Sequence, residues 1–493
     1  MSIENRFNLI DEPWVSVTDI GLVSLKQIFS DRNLGALGGT PIQKIALTKL
    51  LLAIAQSAYT PIDNDDWESL GSNGMASRCL AYLDQWHDRF WLYGEKPFLQ
   101  MSGIQNAECQ PFGALLPEIA TGNSTILFQS TIDRSLTDAE RAVLIVVLMG
   151  FALGGKKTDN SVVLSHDYLG KNNDKGKPKT GSPGPSIGFI GFMHNFLIAE
   201  NIQETLWLNL LSVEQIKSVA YYPAGLGQAP WEIMPAGESC PVAQNMKKSL
   251  MGRLLPLSRF CLLADRGLHY SEGIAHLGYK DGGVDPTIAV DFSGKDPKVL
   301  WVNPEKRPWR QLTALLSFMS STNTVSFECI QVRFGFLRAR QVMKRFGVWS
   351  GGMKVRSNAG EQYLTGLDDF VESIIFFQSS WLGECWYERL KLEVHSLDEI
   401  SKKIFAATCS FFKEQNISSK DQADLATNFF WQLCERKFQM LVNCCNEAEE
   451  VKDLRKTFAS FALKAYDATC SKETARQLDA WAKNRPNLSH YLT

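Results

Sequence analysis

The sequence predicts an α+β protein: a large mixed α/β domain over residues 1–357, followed by an all-α four-helix bundle over residues 358–493. Two observations carry this reading. Short apolar, strand-like segments punctuated by Gly and Pro alternate with helical patterns through the first two thirds of the chain. Beyond GVWSGGMKVRSNAG, Pro and Gly nearly vanish and a 3.6-residue apolar period is sustained to the end. A chain of 493 residues accommodates several cores at roughly 100 to 200 residues each.

In chain order, FNLIDEPWVSV reads as a strand, an Asp-Glu-Pro turn and a second strand. Pro41 opens the helix IQKIALTKLLLAIAQSAY, in which Ile42, Ile45, Leu50 and Ile54 mark one face and Leu47, Leu51 and Leu52 spread the apolar surface nearly all round. Such a helix is central and buried. Asp65-Asp66 before Trp67 reads as a helix start, and RCLAYLDQWHDRFWLY as a helix ending before Gly94. His87 in that segment is read as a partly exposed structural residue among aromatics. Ser135 or Thr137 caps the next helix, with Asp138 and Glu140 complementing its dipole.

That helix delivers the chain to a long basic loop between Gly150 and Gly188, which ends at the strand-like IGFIGFM. Gly154-Gly155 precedes Lys156-Lys157, and further lysines alternate with glycines. Glycines let backbone N–H groups approach another surface closely, and lysines supply charge that a polyphosphate neutralises with counterion release. Neither GxxxxGK[ST] nor GxGxxG after a strand is present, so the loop is not a nucleotide cradle.

Further on, LGYKDGGVDPT holds Lys280 out on an Asp-Gly-Gly turn. RPWRQLTALLSFM reads as a helix. In ECIQVRFGFLRARQVMKRFGVW, the alternation of Ile330, Val332 and Phe334 predicts a strand, followed by the densest arginine cluster in the chain. The bundle then follows, its helical pattern starting with EQYLTGLDDFVESIIFF and continuing through ETARQLDAWAK.

Composition narrows the function. The formal charge of -2 argues against a free-standing nucleic-acid coat, so any such contact is local or shared with more basic partners. Eleven cysteines occur without a CxxC pair or zinc-finger histidines, which predicts reduced core thiols and no metal. The first residues do not form a signal peptide, and no apolar run reaches the roughly 20 residues a membrane helix needs, so a cytoplasmic protein with no membrane partner is expected. No HExxH, GxSxG or paired metal carboxylates are present, and Asp167 beside His166 does not face it. A binding protein without catalytic residues or cofactors is the expectation.

NLIDEPWVSV, the helix IALTKLLLAIAQSAYTP and WHDRFWLYGEKPFLQM, in that order and spacing, resemble the start of the CasA family, large subunits of the type I-E CRISPR surveillance complex Cascade. The order and length of the later segments resemble it over nearly the whole chain. The resemblance implies a subunit that recognises the protospacer-adjacent motif of double-stranded target DNA, starts unwinding and helps recruit a helicase-nuclease. Its implied partners are the other Cascade subunits, the guide RNA and the duplex. Such subunits read the motif with a glycine loop, a lysine finger and a glutamine wedge. Here the loop corresponds to Gly154 and Gly155 with Lys156 and Lys157 at its edge, poorer in Gly and richer in Lys than the family. The finger corresponds to Lys280 and the wedge to Gln341 in GFLRARQ, although strict spacing selects Arg340; Arg338 lies in the same cluster. The segment around Asn123, Leu127 and Phe128 corresponds to the loop touching the guide-RNA handle and backbone subunits. The competing reading is a helical scaffold that holds a complex together without touching DNA; a nucleic-acid enzyme ranks third.

Overall fold

The computed structural model describes residues 4–116, 134–151, 174–176, 191–321, 327–358, 361–363 and 369–492. Asn123, Leu127, Phe128, Gly154, Gly155, Lys156 and Lys157 lie outside the described residues, as do His166 and most of the basic loop. The chain divides into two compact units. One takes Met1–Pro308, Ser326–Val342 and Phe346–Ile374; the other takes Trp309–Val325, Met343–Arg345 and Ile375–Thr493.

The first unit is built on the helix Pro41–Ala58, which starts at an N-cap Thr40 in a reciprocal capping box with Gln43. Proline at the first helical position loses no hydrogen bond, since that N–H has no intrahelical partner. Its apolar surface is buried nearly all round, as expected. The helices Asn64–Gln85 and Asp138–Gly150 pack on it. The first is capped by Asp63, with Asp65 and Asp66 in its first turn. Thr137, not Ser135, caps the second. Trp67 stacks on Trp207 with ring centroids 4.1 Å apart and planes 1° from parallel. Each indole N–H donates to the other residue's backbone carbonyl, at 2.8 and 3.0 Å, so two buried donors are satisfied within one stack.

Both strands expected at the N-terminus are present, but they do not pair with each other. Arg6–Asn8 pairs with Trp91–Tyr93, and Val15–Val17 with Gly21–Val23. Trp91–Tyr93 is free to be a strand because the helix read through it stops at Gln85. His87 sits in a short 3₁₀ turn, about one third exposed, with Nε2 at 2.7 Å from Asp11.

Three further expectations are corrected. Residues Ile330–Val342 form a helix. The alternation covered only the stretch from Ile330 to Phe334, whereas the buried set Ile330, Gln331, Val332, Gly335, Phe336, Arg338 and Ala339 follows helical spacing along the whole segment. Conversely, the described residues of EQYLTGLDDFVESIIFF are not helical: Glu361–Tyr363 and Phe370–Gln378 are strands. Val371, Ile375 and Phe377 are buried, the odd-numbered set of a two-residue period, while Ile374 is exposed. RPWRQLTALLSFM is broken into a single short helix, Leu312–Leu315, between 3₁₀ turns. GVWSGGM is part of a strand, Arg345–Met353, antiparallel to His194–Ile198.

The second unit contains the helices Glu384–Glu414, Lys420–Cys444, Ala448–Thr469 and Ala475–Asn484. Their buried stripes, such as Trp386, Leu390, Leu397 and Ile404 on the first, follow helical spacing. Cys444 and Cys445 are buried here, and desolvation pushes their thiols up to about 11 and 12. They are core residues and carry no reactive thiolate.

Candidate nucleic-acid interface

Lys280 is carried by the segment between His276 and Asp285, and both ends are fastened by buried polar groups. His276 is 3% exposed. Arg253, which can only donate, gives its Nη1 proton to His276 Nδ1 at 3.1 Å. The Pro256 carbonyl, which can only accept, lies 2.6 Å from Nε2. The ring is therefore the neutral Nε2–H tautomer. Burial, aided by the neighbouring Arg253 charge, holds its pKa at about 3, consistent with that assignment.

At the other end, Asp285 is fully buried and pairs with Lys49 from the middle of the central helix. It also accepts from the backbone N–H and hydroxyl of Thr287, at 2.9 and 2.6 Å. Burial by itself raises the Asp285 pKa, but the Lys49 and His194 charges and these hydrogen bonds together hold it below the usual carboxylate value. Tyr222 adds a third tie, its hydroxyl donating to the Val284 carbonyl at 3.4 Å.

Between these anchors the backbone folds into one tight turn. Tyr279–Asp281 is a 3₁₀ turn, closed by Gly282 at φ 85° in the left-handed region that glycine tolerates. Gly283 donates to the Gly278 carbonyl at 2.9 Å. A Cβ on Gly283 would stand 1.9 Å from the Leu277 carbonyl oxygen, so only glycine fits. Lys280 is exposed at the tip. Among the described residues no hydrogen bond or ion pair engages its ammonium. The result is a cation on a rigid support, without a partner among the described residues.

The helix Ile330–Val342 supplies the remaining candidates. Its start is seated against the segment that follows Asp285, with Gln331 N–H donating to the Pro286 carbonyl at 2.8 Å. Gly335 lets it approach closely, since a Cβ there would meet the Leu208 carbonyl oxygen at 2.9 Å. Arg333, Leu337, Arg340 and Gln341 form the exposed face. Arg333 is paired with Glu328. Arg340 and Gln341 have no polar side-chain partner among the described residues.

Arg338 departs from the expectation. It is 3% exposed, lies over the Trp67 ring at 4.7 Å, and donates to Asn64 Oδ1 at 2.8 Å and to the Leu210 carbonyl at 2.6 Å. Burial lowers its pKa to about 10. A guanidinium so engaged holds the helix to the tryptophan stack and does not reach a duplex. The structure links the Lys280 segment to the start of this helix, whereas Gln341 lies near its far end, about 16 Å along the axis at 1.5 Å per residue. The buried anchors of Lys280 escaped sequence reading; their signal was the His276 and Asp285 flanking a glycine-rich turn.

A family model described as CRISPR-associated protein Cse1 matches residues 8–473. A Thermus thermophilus protein named CRISPR-associated protein CasA/Cse1 is 29% identical over 340 residues, 63% of this chain and 60% of that protein's length. The fold is similar to that of Thermus thermophilus CasA, with a TM-score of 0.74, 20% identity and 99% of both chains covered. It is also similar to Thermobifida fusca Cse1, with a TM-score of 0.70, 18% identity and 99% and 98% of the two chains covered. A chain of a structure titled CRISPR RNA-guided surveillance complex matches at a TM-score of 0.68 with 16% identity, over 99% of each chain.

Proposed function

The chain belongs to the CRISPR-associated Cse1 family, and from that premise we propose that it is the large, non-enzymatic subunit of an RNA-guided type I-E surveillance complex, acting in the cytoplasm. It reads a short motif in double-stranded DNA, begins unwinding beside that motif and helps recruit a helicase-nuclease. The observation that carries this reading is Lys280: an exposed cation with no partner among the described residues, on a turn tied at both ends into the core. The minor groove displays few distinguishing donors and acceptors, so a reader there needs a cation and backbone amides held in place before the duplex arrives. Arg340 and Gln341 stay in the proposal as groups that act further along the duplex. Gly154, Gly155, Lys156 and Lys157 stay in it as the glycine loop, and Asn123, Leu127 and Phe128 as contacts to guide RNA or neighbouring subunits.

Near-neutral overall charge fits this role, because sequence readout is left to guide pairing in a channel made largely by other subunits. The test uses the guide-loaded complex. Lys280→Ala is expected to weaken binding to motif-bearing duplex about tenfold, and to affect a duplex lacking the motif much less. Equal affinity of the variant and the unaltered complex for motif-bearing duplex would favour the scaffold reading.

A further inference from the structure

Beside the Lys280 turn lies a feature that motif reading does not use. Trp301 is 50% exposed, while its neighbours Leu300 and Val302 are each 7% exposed. Its backbone is fixed on both sides: Met193 N–H donates to the Leu300 carbonyl at 2.9 Å, and Val302 N–H donates to the Gly191 carbonyl at 2.7 Å. The indole is backed by Gly191, where a Cβ would meet the ring at 3.3 Å, and by Phe192, with centroids 4.7 Å apart. Phe192 in turn meets Tyr279 edge-on at 5.7 Å. Tyr279 immediately precedes Lys280, so one aromatic residue, Phe192, separates Trp301 from the residue that starts the Lys280 turn. Lys354 follows Met353, whose carbonyl lies 3.8 Å from the same Gly191 position.

A rigid indole, supported from behind and half open to solvent, one aromatic residue away from the turn that carries Lys280, has the composition of a base-stacking platform. We infer that Trp301 stacks an unpaired nucleobase of the DNA strand released when the target duplex opens, next to the turn from which Lys280 engages the still-paired motif. This site rests on the function proposed above. It adds to it a means of holding the opened state, because a stacked base cannot re-enter the helix.

The experiment measures binding of the full-length protein to fluorescein-labelled (dT)12 and, separately, to a closed hairpin duplex carrying the motif. Trp301→Ala is expected to weaken (dT)12 binding roughly tenfold and to leave hairpin binding unchanged, while Trp301→Phe, which keeps a stacking face, retains most of the affinity for (dT)12. Unchanged (dT)12 binding by Trp301→Ala, with hairpin binding intact, overturns the stacking site and leaves the motif-reading proposal standing. Loss of (dT)12 affinity in Trp301→Phe equal to that in Trp301→Ala overturns it also, since stacking would then not be the cause. A wild-type protein that binds (dT)12 through Trp301 but ignores the motif overturns motif reading, and with it the assignment to a released target strand. If (rU)12 displaces (dT)12 at about a tenth of the concentration that unlabelled (dT)12 requires, the occupant is RNA and the assignment to DNA is overturned.

Discussion

Lys49→Met is expected to destabilise the first unit by about 3 to 5 kcal/mol, because it strips the partner from a carboxylate that is fully buried. The size follows from the asymmetry of buried ion pairs: the intact pair is worth little against an apolar replacement, but one charge left alone is costly. Thr287 still donates two hydrogen bonds to Asp285 in the variant, which keeps the loss well short of a bare buried ion. The pH dependence separates this cause from a simple packing defect. In the wild type the Asp285 pKa is held below its usual value, so its contribution is present above the unfolded pKa and is lost as pH falls through the folded one. Without Lys49, burial dominates and raises the pKa, so the variant recovers stability as pH falls and loses it as pH rises through the folded value. Denaturant melts at two pH values on either side of about 4 should show the two proteins converging on acidification; a gap that stays constant would contradict the ion-pair account.

Arg338→Met should cost roughly 2 to 5 kcal/mol while leaving DNA binding by the folded protein intact. The side chain's flat guanidinium covers the Trp67 face and satisfies both Asn64 and the Leu210 carbonyl. Methionine fills part of the volume but leaves a buried carbonyl without its donor, a loss of about 1 to 3 kcal/mol on its own. The remainder is lost cation–π contact, on the order of 1 to 2 kcal/mol where desolvated. Urea titration reads the first effect. The second is read from the slope of log affinity against log salt, which a phosphate-contacting arginine would lower by about 1. A changed slope in the folded variant would return Arg338 to the interface.

These two residues also show where sequence reading succeeds and fails. Local chemistry was legible: the Pro41 helix start, the acidic first turn at Asp65 and Asp66, and the long amphipathic helices from Glu384 onward all follow from patterns a few residues wide. Pairing between distant segments was not. Arg6–Asn8 meets Trp91–Tyr93 from far along the chain, and strands this short carry too little alternation to announce their partners. The helix at Ile330–Val342 was hidden by a β-like composition that tertiary packing overrides. Lys280 was visible as a lysine on a glycine turn. Its support was invisible, because Lys49, Arg253 and Tyr222 come from other elements, none of them adjacent to the turn in sequence. Arg338 looked like a surface cation for the mirror reason: its partners Asn64, Trp67 and Leu210 are remote in sequence.

A preorganised Lys280 is expected to contact the target duplex. The most direct measurement is the salt dependence of motif-duplex binding by the guide-loaded complex, with and without Lys280→Ala. Loss of a cation held in the minor groove, between the two phosphate rows, predicts a slope of log affinity against log salt shallower by about 1, together with weaker binding of motif-bearing duplex at low salt. Superimposable salt curves for the two complexes would contradict it.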